Sequence, residues 1–90
     1  MRYANRKDTT QSRIVAALRG AGVRVEIIGR PVDLLTYYRG VWLPMECKTP
    51  VKGEYRPRAD QKAQQAFIAE TGCPVVTSPE EALEAAGIPL

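Results

Sequence analysis

The chain has 90 residues, of which 44% are hydrophobic and 26% are charged, a composition typical of one folded domain and not of a disordered chain. Lys and Arg number 13 against 10 Asp and Glu, a mild excess that fits a polyanionic partner but also suits many unrelated proteins. No histidine is present, which excludes Ser-His-Asp and Cys-His hydrolases, histidine-ligated zinc enzymes and nucleases with an imidazole base.

The first predicted element is a helix over about residues 9–19, with Asp8 or Thr9 as its N-cap. Gly20 and Gly22 are the signals that end it. Residues at helical spacing predict its buried face: Gln11, Ile14, Val15 and Leu18. Gln11 therefore stands at the start of an inward-facing stripe.

Three strands are predicted next. Residues 23–27 alternate between apolar and charged side chains, which is typical of a half-buried strand. Residues 32–38 and 41–48 are rich in β-branched, aromatic and apolar residues, and Arg39-Gly40 between them predicts a hairpin. Pro44 cannot donate a ladder hydrogen bond, so the second hairpin strand either bulges there or faces an edge.

The second half of the chain predicts a basic loop, a helix, a short strand and a final helix. The loop covers residues 49–58, and the helix covers residues 59–71 and ends at Gly72. The strand covers residues 74–77, and Ser78-Pro79-Glu80-Glu81 begins the last helix with a serine cap. The order α-β-β-β-α-β-α predicts one α/β domain over residues 1–90, with a central mixed sheet flanked by helices.

The hairpin brings three ionisable residues to one corner of the predicted sheet. Glu46 and Lys48 project to the same face because successive side chains of a strand alternate. The opposite face is predicted to be core: Val41, Leu43, Met45 and Cys47. Antiparallel pairing across the turn places Asp33 beside the end that carries Glu46 and Lys48.

These residue types suit phosphodiester cleavage. A hard cation holds a phosphate oxygen and activates water, and Mg²⁺ prefers one or two carboxylates together with waters. Asp33 and Glu46 are predicted to supply those oxygens, with the backbone carbonyl of Cys47 as a third ligand. Lys48 is predicted to stabilise the charge that develops on the phosphate and to orient or deprotonate the attacking water. The corner is thus a candidate Mg²⁺ or Mn²⁺ site.

The pattern Pro31-Val32-Asp33 followed by Glu46-Cys47-Lys48, in this order of elements, resembles the PD-(D/E)XK nuclease superfamily. The helix start Asp8-Thr9-Thr10-Gln11, Gln61 after the basic loop and residues 75–83 are similar to the small phage-type VRR-NUC nucleases. The resemblance spans nearly the whole chain. It implies a restriction-endonuclease-like fold and a DNA endonuclease without an organic cofactor, similar to Holliday-junction-resolving enzymes. It further implies a homodimer that cuts branched DNA such as junctions.

The resemblance also implies roles for two glutamines. Gln61 would lie beside Lys48 and orient the nucleophilic water. Gln11 stands where the family usually has a Glu near the metals, so it is a tentative metal ligand that leaves the site one negative charge short. A further departure is Val32 between Pro31 and Asp33, where the family often has Pro directly before Asp. As an alternative, both glutamines are ordinary polar residues near helix starts.

Basic and aromatic side chains are candidates for DNA contacts. Six basic residues are predicted to grip phosphates: Lys52, Arg56, Arg58, Lys62, Arg6 and Lys7. The alternative for the basic loop is a solubilising role. Trp42, Tyr37 and Tyr38 could stack on bases or pack across a dimer interface, and packing is favoured.

Other readings of the chain stay open. Asp33, Glu46 and Lys48 could form a surface ion pair on a solvated sheet face. A module that kept the nuclease fold but lost turnover would bind DNA without cleaving it. A regulatory or inhibitory domain would instead bind another protein through the hairpin and Trp42.

The remaining features concern the compartment. Cys47 and Cys73 are isolated, so they form neither a disulfide framework nor a zinc site, and we expect them in the core. A reducing cytoplasm of a bacterial or phage-infected cell is expected. No apolar run approaches the ~18 residues of a membrane helix, and the N-terminal residues lack the hydrophobic segment of a signal peptide, so no membrane partner is expected.

Overall fold

The computed structural model describes residues 6–49 and 61–89 of the chain. In these ranges the elements follow the predicted order: α1 (Arg6–Gly20), β1 (Arg24–Ile27), β2 (Leu34–Tyr38), β3 (Val41–Cys47), α2 (Lys62–Thr71), β4 (Val75–Val76) and α3 (Pro79–Ala85). The four strands form one sheet in the order β1-β2-β3-β4. Pairing is antiparallel from β1 to β3 and parallel between β3 and β4. The predicted α/β class and the mixed sheet are therefore confirmed.

Two predicted boundaries were wrong. Helix α1 begins at Arg6, so neither Asp8 nor Thr9 is its N-cap. Strand β2 begins at Leu34 and not at residue 32. The reason is a tight connection in which the backbone N–H groups of Ile28 and Gly29 both donate to the Asp33 carbonyl, at 2.9 and 3.2 Å. Ladder pairing with β1 can start only after this turn.

The hairpin turn was predicted correctly, and of the two alternatives for Pro44, a bulge or an edge, the structure shows the edge. Arg39 and Gly40 have φ values of 50° and 86°, the two positive values that a tight two-residue hairpin turn requires. The N–H of Glu46 points toward β4, where it donates to the Pro74 carbonyl, and Pro44 lies two residues earlier with the same orientation. In the described part of the chain, strand β4 pairs with Glu46 and Cys47 and does not extend to Pro44. Pro44 thus faces an edge, where its missing N–H costs no described ladder bond.

The core lies between one face of the sheet and helices α1 and α3. Its buried members are Ile14, Val15, Leu18, Val23, Val25, Leu34, Met45, Cys47, Val76 and Ala82. The predicted burial of Ile14, Val15 and Leu18 on α1 and of Cys47 and Cys73 is confirmed, whereas Gln11 is only half-buried. Val41 was predicted to be core but is 61% exposed, because it belongs to the last hairpin pair before the turn. None of the described helices is long and apolar enough to cross a membrane.

Helix α3 shows how local sequence sets an element boundary. The Ser78 hydroxyl accepts a hydrogen bond from the N–H of Glu81, and Pro79 occupies the first helical position. The Glu81 carboxylate reaches back to the backbone N–H and the hydroxyl of Thr77, at 2.6 and 2.7 Å. These bonds hold the Glu81 pKa below its usual value. The helix start predicted from the sequence is confirmed.

Candidate active site

Asp33 and Glu46 face each other across the β2–β3 hairpin. Leu34 pairs with Met45. Antiparallel geometry therefore sets Asp33, the residue before Leu34, opposite Glu46, the residue after Met45. The Asp33 N–H donates to Glu46 Oε1 at 3.0 Å, and the Cys47 N–H donates to Asp33 Oδ2 at 3.0 Å. Each carboxylate therefore binds the backbone of the other strand. The predicted meeting of the two acids is present in the structure.

Lys48 completes the cluster from the end of β3. Its Nζ lies 3.0 Å from Glu46 Oε2, and its side chain is 19% exposed, whereas the Glu46 side chain is 0% exposed. The alternative of a surface ion pair on a solvated face does not fit this burial. The cluster is instead a buried acid with an ammonium at its outer side.

The burial of Glu46 needs compensation, since taking an ionised carboxylate out of water costs several kcal/mol. The two described contacts supply it: the Asp33 N–H binds one oxygen, and the Lys48 ammonium faces the other. Charge-assisted contacts of this kind are among the stronger ones inside proteins. We conclude that the three residues form one electrostatic unit, in which removing any one member affects the other two.

Cys73 lies close to this unit, which was not predicted. Burial raises the pKa of the Cys73 thiol first, the nearby Glu46 carboxylate raises it further, and the backbone N–H of Glu46 partly offsets both. Parallel pairing explains the proximity, since Glu46 pairs with Val75, two residues after Cys73. The sequence predicted a strand over residues 74–77 but not which strand it pairs with, because that pairing joins segments far apart in the chain.

Gln64 contacts Lys48, which was not predicted, and the predicted role of Gln61 beside Lys48 stays a prediction. Lys48 Nζ donates to Gln64 Oε1 at 3.2 Å, and Gln64 Nε2 donates to the Pro31 carbonyl at 3.3 Å. Gln61 directly precedes α2 and lines a cavity of about 630 Å³ together with Gln64. The two glutamines are three residues apart and share one helix face. This spacing is the sequence signal that could have marked both as candidate site residues.

The start of α1 lies near the end of β3. Thr10 Oγ1 and Thr49 Oγ1 are 3.0 Å apart, and Thr49 directly follows Lys48. Gln11, the tentative metal ligand, is half-buried and lines a separate cavity of about 300 Å³ beside Ile27. No described contact joins Gln11 to Asp33 or Glu46, so its role at the metal stays a prediction.

Most of the predicted phosphate-binding residues fall outside the described part of the chain. Lys52, Arg56 and Arg58 do so completely, as do the side chains of Arg6 and Lys7, while Lys62 is exposed at the first position of α2. The aromatic residues are described. Trp42 and Tyr37 are 58% and 37% exposed on the sheet face that carries Glu46, with ring centroids 4.9 Å apart. Tyr38 is half-buried on the opposite face, beneath the Arg39 guanidinium.

The carboxylate oxygens of this cluster suit a hard cation that takes few ligands from the protein. Among residues 9–49 and 61–89, no group of three or more His, Cys, Asp or Glu side chains could hold a metal ion. Two carboxylates do meet, and Mg²⁺ is commonly bound by one or two carboxylates with waters and substrate phosphates completing its shell. Asp33 and Glu46 fit that pattern, with the Lys48 ammonium already facing one oxygen of Glu46.

Comparison with known proteins gave no match: no family model, no curated protein and no solved structure matches this chain. A function for this chain therefore has to be inferred from the residues of the cluster and from the order of the elements.

Proposed function

We propose that this chain is a Mg²⁺- or Mn²⁺-dependent deoxyribonuclease of the PD-(D/E)XK type, similar to the VRR-NUC nucleases, which hydrolyses phosphodiesters in branched DNA as a homodimer. The observation that carries the proposal is the reciprocal bonding of Asp33 and Glu46 across the hairpin, with the Lys48 ammonium 3.0 Å from Glu46. The α-β-β-β-α-β-α order around a mixed sheet supports it.

Each residue of the cluster has a distinct chemical use in this reaction. Asp33 and Glu46 would hold the divalent cation, which when bound supplies Lewis-acid polarisation of a phosphate oxygen and a more acidic water. Lys48 is the most exposed of the three and is the charge that an incoming phosphate meets. Its ammonium would stabilise negative charge developing on the phosphate. Gln64 holds that ammonium toward the turn at Pro31.

The test is incubation of the purified chain with four-way junction, flap, single-stranded and linear duplex DNA, each with Mg²⁺, Mn²⁺ or EDTA. We expect cleavage with either metal and none with EDTA, and the junction to be cut fastest. Lys48→Ala should abolish cleavage but leave DNA binding. Arg39→Ala, at the far end of the hairpin, is the matched control. Full activity of Lys48→Ala would contradict the mechanism.

The dimer is tested separately by light scattering. A domain of 90 residues covers little of a DNA duplex, and a symmetric pair presents two sites to two strands. Among the described residues, Trp42 and Tyr37 are exposed aromatic side chains available for such an interface. A monomer mass at working concentrations, with or without junction DNA, would count against the dimer.

A second candidate function is DNA binding without turnover. The observation that favours it is that Glu46 is fully buried and both of its oxygens contact protein groups, as expected of a structural role. Calorimetry distinguishes the two: a DNA-binding module would release heat with DNA and none with Mg²⁺ or Mn²⁺. A nuclease would bind the metal and lose that heat in Glu46→Gln.

A further inference from the structure

A cavity of about 630 Å³ opens directly beside the cluster, a volume within the range of small-ligand sites in proteins, about 300 to 1,000 Å³. The described residues that line it are Gly29, Arg30, Pro31, Gln61, Ala63 and Gln64. It thus lies between the turn that precedes Asp33 and the start of helix α2. Gln64 forms part of its wall and accepts a hydrogen bond from Lys48, so the cavity is one side chain away from the catalytic lysine.

The lining has the chemistry of a sugar–phosphate site. Arg30 is exposed, and its guanidinium can bind a phosphate through two parallel hydrogen bonds. None of the described lining residues carries a carboxylate that would repel an anion. Gly29 has a φ of 77°, and a Cβ there would meet no atom within 4 Å, so open space extends to the backbone. Pro31 and Ala63 add a small apolar surface suited to a deoxyribose.

We propose that this cavity binds the nucleotide next to the scissile phosphate, with Arg30 on its backbone phosphate. The inference rests on the proposed nuclease function and adds to it the path of the strand. From Lys48 the DNA runs over the turn at residues 29–31 and the start of α2, away from the hairpin tip. The contact is to sugar and phosphate, so it carries no base preference.

The first test compares two exposed arginines, one on each side of strand β2 along the chain. Arg30 lines the cavity before β2, and Arg39 lies at the hairpin turn after β2. The five residues of β2 alone span about 17 Å at ~3.3 Å per residue. Each alanine substitution lowers the formal net charge equally, from +3 to +2. DNA binding is measured in EDTA at several salt concentrations, with a four-way junction and a linear duplex. Arg30→Ala should reduce the slope of log affinity against log salt by about one, and Arg39→Ala should leave it unchanged.

The second test blocks the cavity without changing charge. Ala63 and Ala66 are both exposed on α2, but only Ala63 lines the cavity. Ala63→Trp should raise KM for cleavage several-fold with kcat preserved, because the cavity is expected to bind the substrate and the transition state equally. Ala66→Trp should match the wild type. Arg30→Lys should restore the salt slope by restoring the charge. Thermal unfolding of all five variants checks that each one is folded.

The outcomes separate this inference from the nuclease proposal. If the wild type cleaves DNA but Arg30→Ala behaves like Arg39→Ala, or Ala63→Trp like Ala66→Trp, the inference alone is overturned. If the wild type binds DNA without cleaving it, the nuclease proposal fails and the arginine comparison still decides the strand path. If the wild type does not bind DNA, both are overturned.

Discussion

The buried ion pair makes a prediction about stability that does not depend on catalysis. Lys48→Met removes the ammonium that lies 3.0 Å from the fully buried Glu46. Breaking a buried pair from one side costs about 3 to 5 kcal/mol, because a charge stays behind in a poorly solvated place. The Lys48 side chain is 19% exposed, so some water reaches the pair and we take the lower end, about 3 kcal/mol. For a domain of this size that is a fall in Tm of about 12 °C or more.

The diagnostic variant is the double mutant Glu46→Gln with Lys48→Met. Glutamine removes the buried charge but keeps an oxygen that can accept the Asp33 N–H. The double mutant should therefore be more stable than Lys48→Met alone, by about 1 to 2 kcal/mol. Glu46→Gln alone should cost less than Lys48→Met, because the Lys48 ammonium still reaches water and Gln64.

The measurement is a double-mutant cycle. Chemical unfolding is followed by circular dichroism for the wild type, the two single mutants and the double mutant. Lys62→Met is the matched control, since Lys62 is exposed and its loss should change the free energy of unfolding by no more than about 0.5 kcal/mol. If the double mutant is no more stable than Lys48→Met, the buried charge is not what makes Lys48 necessary, and the electrostatic account is refuted.

Three further predictions concern Gln64, Glu81 and Cys73. Gln64→Ala should lower kcat about tenfold, because one hydrogen bond to a charged group is lost, taken at the low end of its usual value; an unchanged kcat with a raised KM would show that Gln64 acts only through the wall of the cavity and does not position Lys48. The Glu81 pKa is lowered by its bonds to Thr77, so its stabilising effect is present above the unfolded value near 4.5 and is lost as pH falls through the lower folded value. Urea titrations should therefore find Glu81→Gln less stable than the wild type at pH 7 and equal to it in strong acid, and a difference that persists in acid would contradict this. Burial and Glu46 raise the pKa of the Cys73 thiol, so iodoacetamide at pH 8 should alkylate it far more slowly in the native protein than in urea, as peptide mass spectrometry can measure; equal rates would mean that the thiol is accessible.

Local patterns were sufficient where a few neighbouring residues decide the structure. The spacing of Ile14, Val15 and Leu18 predicted the buried face of α1, and Arg39-Gly40 predicted the hairpin turn. The turn and strand alternation together predicted that Asp33 and Glu46 meet. These features depend on short-range geometry, which a sequence displays directly.

The features that were missed depend on what packs against a residue. Alternation assigned Glu46 to the face opposite the core, but it carried no information on what covers that face, so the full burial of Glu46 was not predicted. The proximity of Cys73 to Glu46 arises from parallel pairing between segments about thirty residues apart in the chain. The contact between Gln64 and Lys48 depends on the rotation of α2 about its axis, which one turn of sequence does not specify.

The reciprocal hydrogen bonds between Asp33 and Glu46 also couple the chemistry of the corner to the pairing register of the hairpin. A slip of one residue between β2 and β3 would invert the face of every side chain in the moving strand, and it would separate each carboxylate from the backbone N–H that it now binds. Few alternative pairings can satisfy two buried acids at once. The polar corner therefore adds to the discrimination against misregistered hairpins that the buried apolar face of β2 and β3 already provides.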